Sequence, residues 1–251
     1  MRMCLMAVAL IFMLGTSTAG TSTAETQKAE QPAKVEKTFN FEQGQAIDIL
    51  FLEAKPETDE KLKEYFAAVF PIVKDAGYRP LPGLRIYQSP TQGNYHPGTL
   101  VMASWRDAAS RAEAMERIEE AVPDFHQRRR DIWSSFAMTV YEMEEPVSFA
   151  VDSEGTYVLT AYWQKDDVER GFEAFKKDWS SRMHRAGGQL VLELEGGSSP
   201  FGYRYDPDHL TITRWQSAES FETFYRQNLA MDHQPVEHVN QFILELPAAS
   251  R

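Results

Sequence analysis

The sequence predicts an α+β protein built from two tandem ferredoxin-like units, each β-α-β-β-α-β, whose sheets pack face to face within one chain. Three observations predict it. The chain repeats itself at a constant offset of 110 residues from Ile47 to Ser110, so that Gly77 meets Gly187, Tyr95 meets Tyr205 and Trp105 meets Trp215. Each copy alternates short β-branched and aromatic runs with segments of helical period. A four-stranded sheet with both helices on one face also leaves its other face bare, and a second copy can cover it.

The elements follow in order. Residues 1–24 carry Arg2, the apolar run Cys4 to Gly15 and then small residues, the pattern of a secretory signal peptide cleaved near Ala19 or Ala24. That pattern implies a secreted or periplasmic protein with no membrane attachment after cleavage. The only cysteine, Cys4, would leave with the peptide, and with it any thiol chemistry. Residues 25–44 are polar and lack an apolar period, so a disordered linker is expected there. The first unit spans 45–145 and the second 155–247.

IDILFLE from Ile47 and YVLTAYW from Tyr157 are the first strands. Leu62, Tyr65, Phe66, Val69 and Val73 then form one helical stripe, with a kink expected at Pro71. Val168, Phe172, Phe175, Trp179 and Met183 form the matching stripe. Gly77 and Gly187 suit the left-handed residue that closes a helix. QLVLELE from Gln189 is a second strand, turned back by a loop with Ser-Pro and Tyr-x-Pro into a third strand that ends at Trp105 or Trp215. Asp107 and Ser217 are natural caps for the next helix. AMTVYEM from Ala137 and QFILEL from Gln241 close the units.

Several stretches resemble a known group. AYW (Ala161 to Trp163), FEAF (Phe172 to Phe175), RAGGQL (Arg185 to Leu190) and RWQSAESFETFY (Arg214 to Tyr225) look like the dimeric α/β-barrel superfamily, with NIPSNAP-like tandem domains within it. SWRDAASR (Ser104 to Arg111) and the DIW at Asp131 are the weaker counterparts in the first unit. The resemblance implies an intrachain pseudo-dimer closing an α/β barrel. It spans several activities: cofactor-free monooxygenases, haem-degrading enzymes, chlorite dismutase-like haem proteins and lactone isomerases. A haem-degrading member would show Asn, Trp and His in one pocket, and no such set is assigned. The motifs around a chlorite dismutase-like proximal histidine are not evident.

The residues narrow the function by exclusion. A net charge of -11 argues against a nucleic-acid partner, which needs a basic face. No P-loop, nucleophile elbow, dinucleotide fingerprint or zinc spacing occurs. His184, His209, His233 and His238 show no ligand spacing, and the basic cluster from His126 to Arg130 reads as a solvated helix end. Strand alternation puts Thr211, Thr213 and Trp215 on one face and Leu210 and Ile212 on the other. The apolar pair is expected to meet the helices. The polar set, joined by Thr160, Tyr162 and Glu193, is then expected to look into a ligand cavity between the sheets, with His96 in a neighbouring loop. Trp105 and Trp215 themselves read as hydrophobic plugs at the strand-helix junctions. The expectation is a secreted or periplasmic binder of a small organic ligand. The alternatives are a cofactor-independent monooxygenase or isomerase, a haem-binding protein, and an interaction module without chemistry. No metal and no resident cofactor are expected, with haem left open by the resemblance alone.

Overall fold

The computed structural model describes residues 35–167, 169–200 and 202–247. The expected signal peptide, its cleavage sites and residues 25–34 of the expected linker lie outside the described residues, as does Val168 of the second helical stripe. The first half contains β1 (Glu36–Phe41), β2 (Ala46–Ala54), α1 (Asp59–Asp75), β3 (Arg79–Pro80), β4 (Leu84–Gln92), β5 (Thr99–Trp105), α2 (Ala108–Ala121), α3 (Phe125–Ile132) and β6 (Trp133–Glu142). The second contains β7 (Val147–Asp152), β8 (Thr156–Gln164), α4 (Glu169–Arg185), β9 (Gln189–Glu195), β10 (His209–Trp215), α5 (Ala218–Leu229) and β11 (Val236–Glu245). β2 and β8, α1 and α4, β5 and β10, and α2 and α5 each begin 110 residues apart. Among the described residues no helix is long and apolar enough to cross a membrane.

Local chemistry sets the boundaries. Gly77 and Gly187 take φ of 81° and 85° after α1 and α4, a region that costs a residue with a Cβ. Asp107 Oδ1 accepts from Ser110 N at 2.6 Å to cap α2, and Ser217 and Ser220 form a reciprocal capping box on α5. α1 runs as one helix through Pro71.

The strands pair antiparallel, in the order β6-β2-β5-β4 in the first half and β11-β8-β10-β9 in the second, with β3 alongside β5. Both halves therefore read fourth, first, third, second. The expectation of two separate facing sheets is corrected at this point. β4 and β11 pair edge to edge, so the two sheets are one. The reason is that an unpaired edge leaves a row of open backbone groups, and β4 is long enough to reach β11. The joined sheet then curls until its far ends meet. Val140 N donates to Ser198 O at 2.8 Å, and Ser198 N donates back to Val140 O at 2.9 Å.

Curling creates an inside and an outside. The inside is filled by Ile49, Phe51, Leu100, Leu159, Ile212 and Phe242, drawn from both halves. The outside carries the helices. α1 and α2 cover Trp105 with Tyr65, Val69 and Ile118, and α4 and α5 cover Trp215 and Tyr162 with Phe172, Trp179 and Phe224.

One end of the curled sheet is stoppered by a ribbon. β1 pairs with β7 over six residues, and Phe39, Phe41, Phe149 and Val151 enter the inner core, with the rings of Phe39 and Phe149 stacked at 5.0 Å. The linker expected over 25–44 is thus a strand from Glu36 onward. Its Phe39-x-Phe41 alternation is too short to register as a strand until β7 supplies a partner, and β7 lies in the connector between the two expected units.

Candidate functional site

The end opposite the ribbon is open. β6 begins there, β8 ends there and β11 begins there, while the β4–β5 and β9–β10 loops fold over it. Between them lies a cleft of about 580 Å³. Both halves build it: Tyr95, Ser135, Phe136 and Ala137 come from the first, and Trp163, residues 202–206, Glu237, His238 and Asn240 from the second.

The floor is made of phenols. Tyr95 and Tyr205, equivalent under the 110-residue repeat, place their rings 5.5 Å apart; both touch Phe51 of the inner core, and Tyr95 also touches Phe242. Tyr95 Oη lies 3.1 Å from Ser135 Oγ, and Asn240 Nδ2 donates to Tyr205 Oη at 3.4 Å. Burial pushes both phenols above their ordinary range, most strongly for Tyr205, so they remain protonated and can donate. Asn240 is 2% exposed, and its Oδ1 has no hydrogen-bond partner.

Two walls rise from this floor. On one side Trp163 stands edge-on to Tyr205 at 5.1 Å and meets the His238 ring at 4.8 Å, with Glu237 beside it. On the other, Phe136 and Tyr203 meet at 5.0 Å. Arg204 on the rim is already held by both oxygens of Asp206, at 3.0 and 3.1 Å. Chemically the cleft offers π faces on two sides, buried O–H donors below and one imidazole.

The residues expected to line the cavity lie elsewhere. Thr160, Tyr162, Thr211, Thr213 and Trp215 share one face, as alternation requires, but that face meets the helices, and Leu210 and Ile212 point into the inner core. The physical reason is that the curled interior is walled by the sheet and stoppered by the ribbon and takes the apolar Leu210 and Ile212, while threonines can bury themselves by bonding to neighbouring strands. Thr211 Oγ1 donates to Thr160 O at 3.4 Å, Thr213 Oγ1 donates to Val158 O at 3.2 Å and Trp215 Nε1 donates to Thr213 Oγ1 at 2.9 Å. Thr160 Oγ1 accepts from Gln241 Nε2 at 2.9 Å. Tyr162 is fully buried and its phenol is pushed up by desolvation. His96 is exposed and does not line the cleft, although its neighbour Tyr95 does. Trp105 and Trp215 are 3% and 0% exposed beneath their helices, where a plug belongs.

Glu193 takes a different role. Its Oε1 lies 2.8 Å from Nε2 of the buried His209, and this hydrogen bond holds the carboxyl below its ordinary value. With Glu195 these residues form the one group among the described residues whose ligand atoms lie close enough to share a metal ion, within 4.8 Å. Lys176 Nζ sits 2.6 Å from Glu195 Oε1 and competes for that carboxylate. For haem, the cleft brings Asn240, Trp163 and His238 together, the Asn, Trp and His set expected of a haem-degrading member, and His238 is its one imidazole. Against haem, Glu237 and Asp206 flank the rim and its Arg204 pairs with Asp206, so the lining offers no unpaired cation to two propionates.

The cleft and its curled sheet define an α/β-barrel protein with an aromatic, two-sided pocket at one mouth. No family model matches the chain, and no curated protein matches it. Solved structures similar to it include an anthrone oxidase-like protein, with TM-score 0.49 and 15% identity over 85% of this chain and 100% of that one. A candidate monooxygenase from Fusobacterium nucleatum has TM-score 0.44 and 10% identity over 82% and 94%. Chlorite dismutase from Candidatus Nitrospira defluvii, in complex with imidazole, has TM-score 0.48 and 8% identity over 82% and 92%. These neighbours are described as monooxygenases, an anthrone oxidase-like protein and chlorite dismutases. At this distance they assign no chemistry.

Proposed function

We propose that the protein binds a planar hydroxylated aromatic molecule in the cleft and acts on it as a cofactor-independent oxygenase, with the chain serving as its own dimer. One observation carries the binding: Tyr95, Phe136, Trp163, Tyr203 and Tyr205 surround a space of about 580 Å³ that residues of both halves line. Aromatic faces recognise flat π systems, and the volume lies inside the ~300–1,000 Å³ range of small-molecule pockets. The buried phenols of Tyr95 and Tyr205 and the amide of Asn240 supply donors for the ligand's oxygen. The pairing of Tyr95 with Tyr205 supports the pseudo-dimer, since one copy of the repeated Tyr-x-Pro comes from each half.

The oxygenase reading is favoured by proton-handling groups at both walls, His238 on one and Tyr203 on the other. An anthrone, whose enol tautomer is a hydroxyarene, gives on losing its proton an aryloxide that can pass electrons to dioxygen itself. In the overall reaction a ring CH₂ becomes C=O, one oxygen atom enters the product and the second leaves as water with the two hydrogens.

Anthrone tests both parts. Titration under argon should quench the fluorescence of wild-type protein but not of Trp163→Phe. Admission of oxygen should then consume one O₂ per anthraquinone formed, faster than in buffer. Binding without turnover would leave a binding protein and remove the oxygenase. Failure to bind would remove both.

A further inference from the structure

Behind the Phe136–Tyr203 wall lies a set of charged groups that the binding reading does not use. Tyr203 Oη is 2.6 Å from His126 Nδ1, and the other ring nitrogen, Nε2, is 3.1 Å from Glu119 Oε1. The two rings stack at 5.7 Å. α2 supplies Glu119, α3 supplies His126 and the β9–β10 loop supplies Tyr203, so the chain of contacts crosses between the halves. Arg129, one turn along α3 from His126, is 8% exposed and inserts its guanidinium among rings: Phe125 at 4.0 Å, Phe136 at 4.4 Å and Tyr203 at 5.1 Å. Its Nε donates to Tyr65 Oη at 3.0 Å, and among the described residues no carboxylate pairs with it.

A buried cation without a carboxylate is costly, and aromatic faces return only part of that cost. Here it stands behind the cleft wall, where its field attracts negative charge appearing on the cleft side. The contacts of His126 also set its tautomer. Glu119 accepts from Nε2–H, which leaves Nδ1 bare to accept from the Tyr203 hydroxyl.

Resting on the reading of the cleft as a hydroxyarene site, we propose that Tyr203, His126 and Glu119 form a proton relay that ionises the bound hydroxyarene. The ligand's O–H proton passes to Tyr203 Oη as the Tyr203 proton passes to His126 Nδ1. The products are an aryloxide in the cleft and an imidazolium paired with the Glu119 carboxylate, so charge and protons balance. Tyr203 is the catalytic residue, because it lines the cleft; His126, Glu119 and Arg129 are positioning residues. The charged or titratable groups in contact with the relay or with Arg129 behind it are Glu119 from α2, Arg129 from α3 and Tyr65 from α1, and Arg204 and Asp206 flank Tyr203 along its loop, bonded to each other.

The test uses 4-nitrophenol, whose phenolate absorbs in the visible, and 4-nitroanisole, which has no proton to lose, with the full chain. Bound 4-nitrophenol should ionise about one pH unit below the free dye, a tenfold bias toward phenolate. Tyr203→Phe and His126→Gln should abolish that shift, and His126→Gln, which does not line the cleft, should change 4-nitroanisole affinity by less than about twofold. Glu119→Gln should reduce the shift and Glu119→Asp should restore it. A shift that survives in Tyr203→Phe and His126→Gln overturns the relay and leaves the cleft reading standing. If both dyes bind and the wild type shows no shift, the relay alone fails. If neither dye binds, the cleft reading fails and the relay falls with it.

Discussion

Trp105 and Trp215 occupy one position of the repeat and solve the same problem in two ways. A buried indole N–H needs an acceptor. In the first half Trp105 Nε1 donates to Asp48 Oδ2 at 2.9 Å, and Arg111 Nε holds the other oxygen at 2.6 Å, a buried ion pair. The residues 110 places on are Val158 and Phe221, so the second half has no such pair, and Trp215 donates to Thr213, which stands where the first half has Ala103. The threonines of β10 are therefore explained by the tryptophan above them rather than by a ligand. Trp215 packs on Phe224 at 4.9 Å and Phe221 at 5.7 Å. Trp215→Ala should cost about 3–5 kcal/mol in denaturant unfolding. Because the ring faces away from the cleft, the affinity of the folded variant for anthrone should be unchanged. Lost affinity with intact stability would return the site to this face. Alternation assigned these residues to a common face correctly; it cannot say which face is enclosed. Tyr205 shows the opposite case, since its repeat with Tyr95 was visible as turn punctuation and its role as cleft floor depends on a pairing that only the closed chain makes.

Among elements, those with a counterpart in the other half were legible, because two weak patterns at one offset reinforce each other. β2, β8, α1, α4 and the capped α2 and α5 fall where the repeat predicts them. β1 and β7 were missed, since each is a short strand whose only strand partner among the described residues is the other. α3 was half read: its basic residues mark a helix, but Arg129 turns inward among rings. The edge joining β4 to β11 was not foreseen, and a glycine controls it. Gly93, just after β4, has φ of 85°, and a Cβ there would lie 2.2 Å from Asn240 Oδ1 and 2.5 Å from the backbone Val239 O. The first of these is a floor residue of the cleft and the second is a backbone atom that cannot swing aside. Gly93→Ala should therefore loosen the β4–β11 seam at a cost of roughly 1–3 kcal/mol. It should also weaken ligand binding, whereas Gly44→Ala, with φ of 82° and open space around its Cβ, should cost stability and leave binding intact. Equal binding in the two variants would separate the seam from the site.

At the scale of the whole chain, the two halves share what independent domains keep to themselves. Ile49, Phe51 and Leu100 pack in one core with Leu159, Ile212 and Phe242, so neither half encloses its inner face alone. β4 pairs with β11 at one seam, Val140 bonds Ser198 at the other, and the β1–β7 ribbon ties residues before the first unit to the connector before the second. Separating the halves would expose the inner face of both sheets and open two strand edges, a cost no flexible tether could offset. The outer cores under α1–α2 and α4–α5 are local to each half, and they are where independent unfolding would begin if it occurred. The expected result is one transition, not two. Tryptophans report on each half separately: Trp105 and Trp133 lie in the first outer core, and Trp179 and Trp215 in the second. In urea, each variant that keeps only the first pair or only the second, with Phe at the remaining tryptophans, should give a fluorescence midpoint that coincides with its own circular dichroism midpoint. Midpoints that separate, or a fragment from residue 155 onward that folds cooperatively by itself, would mean that the shared core is weaker than the two local ones. The cleft, which residues of both halves line, would then open before either half unfolds.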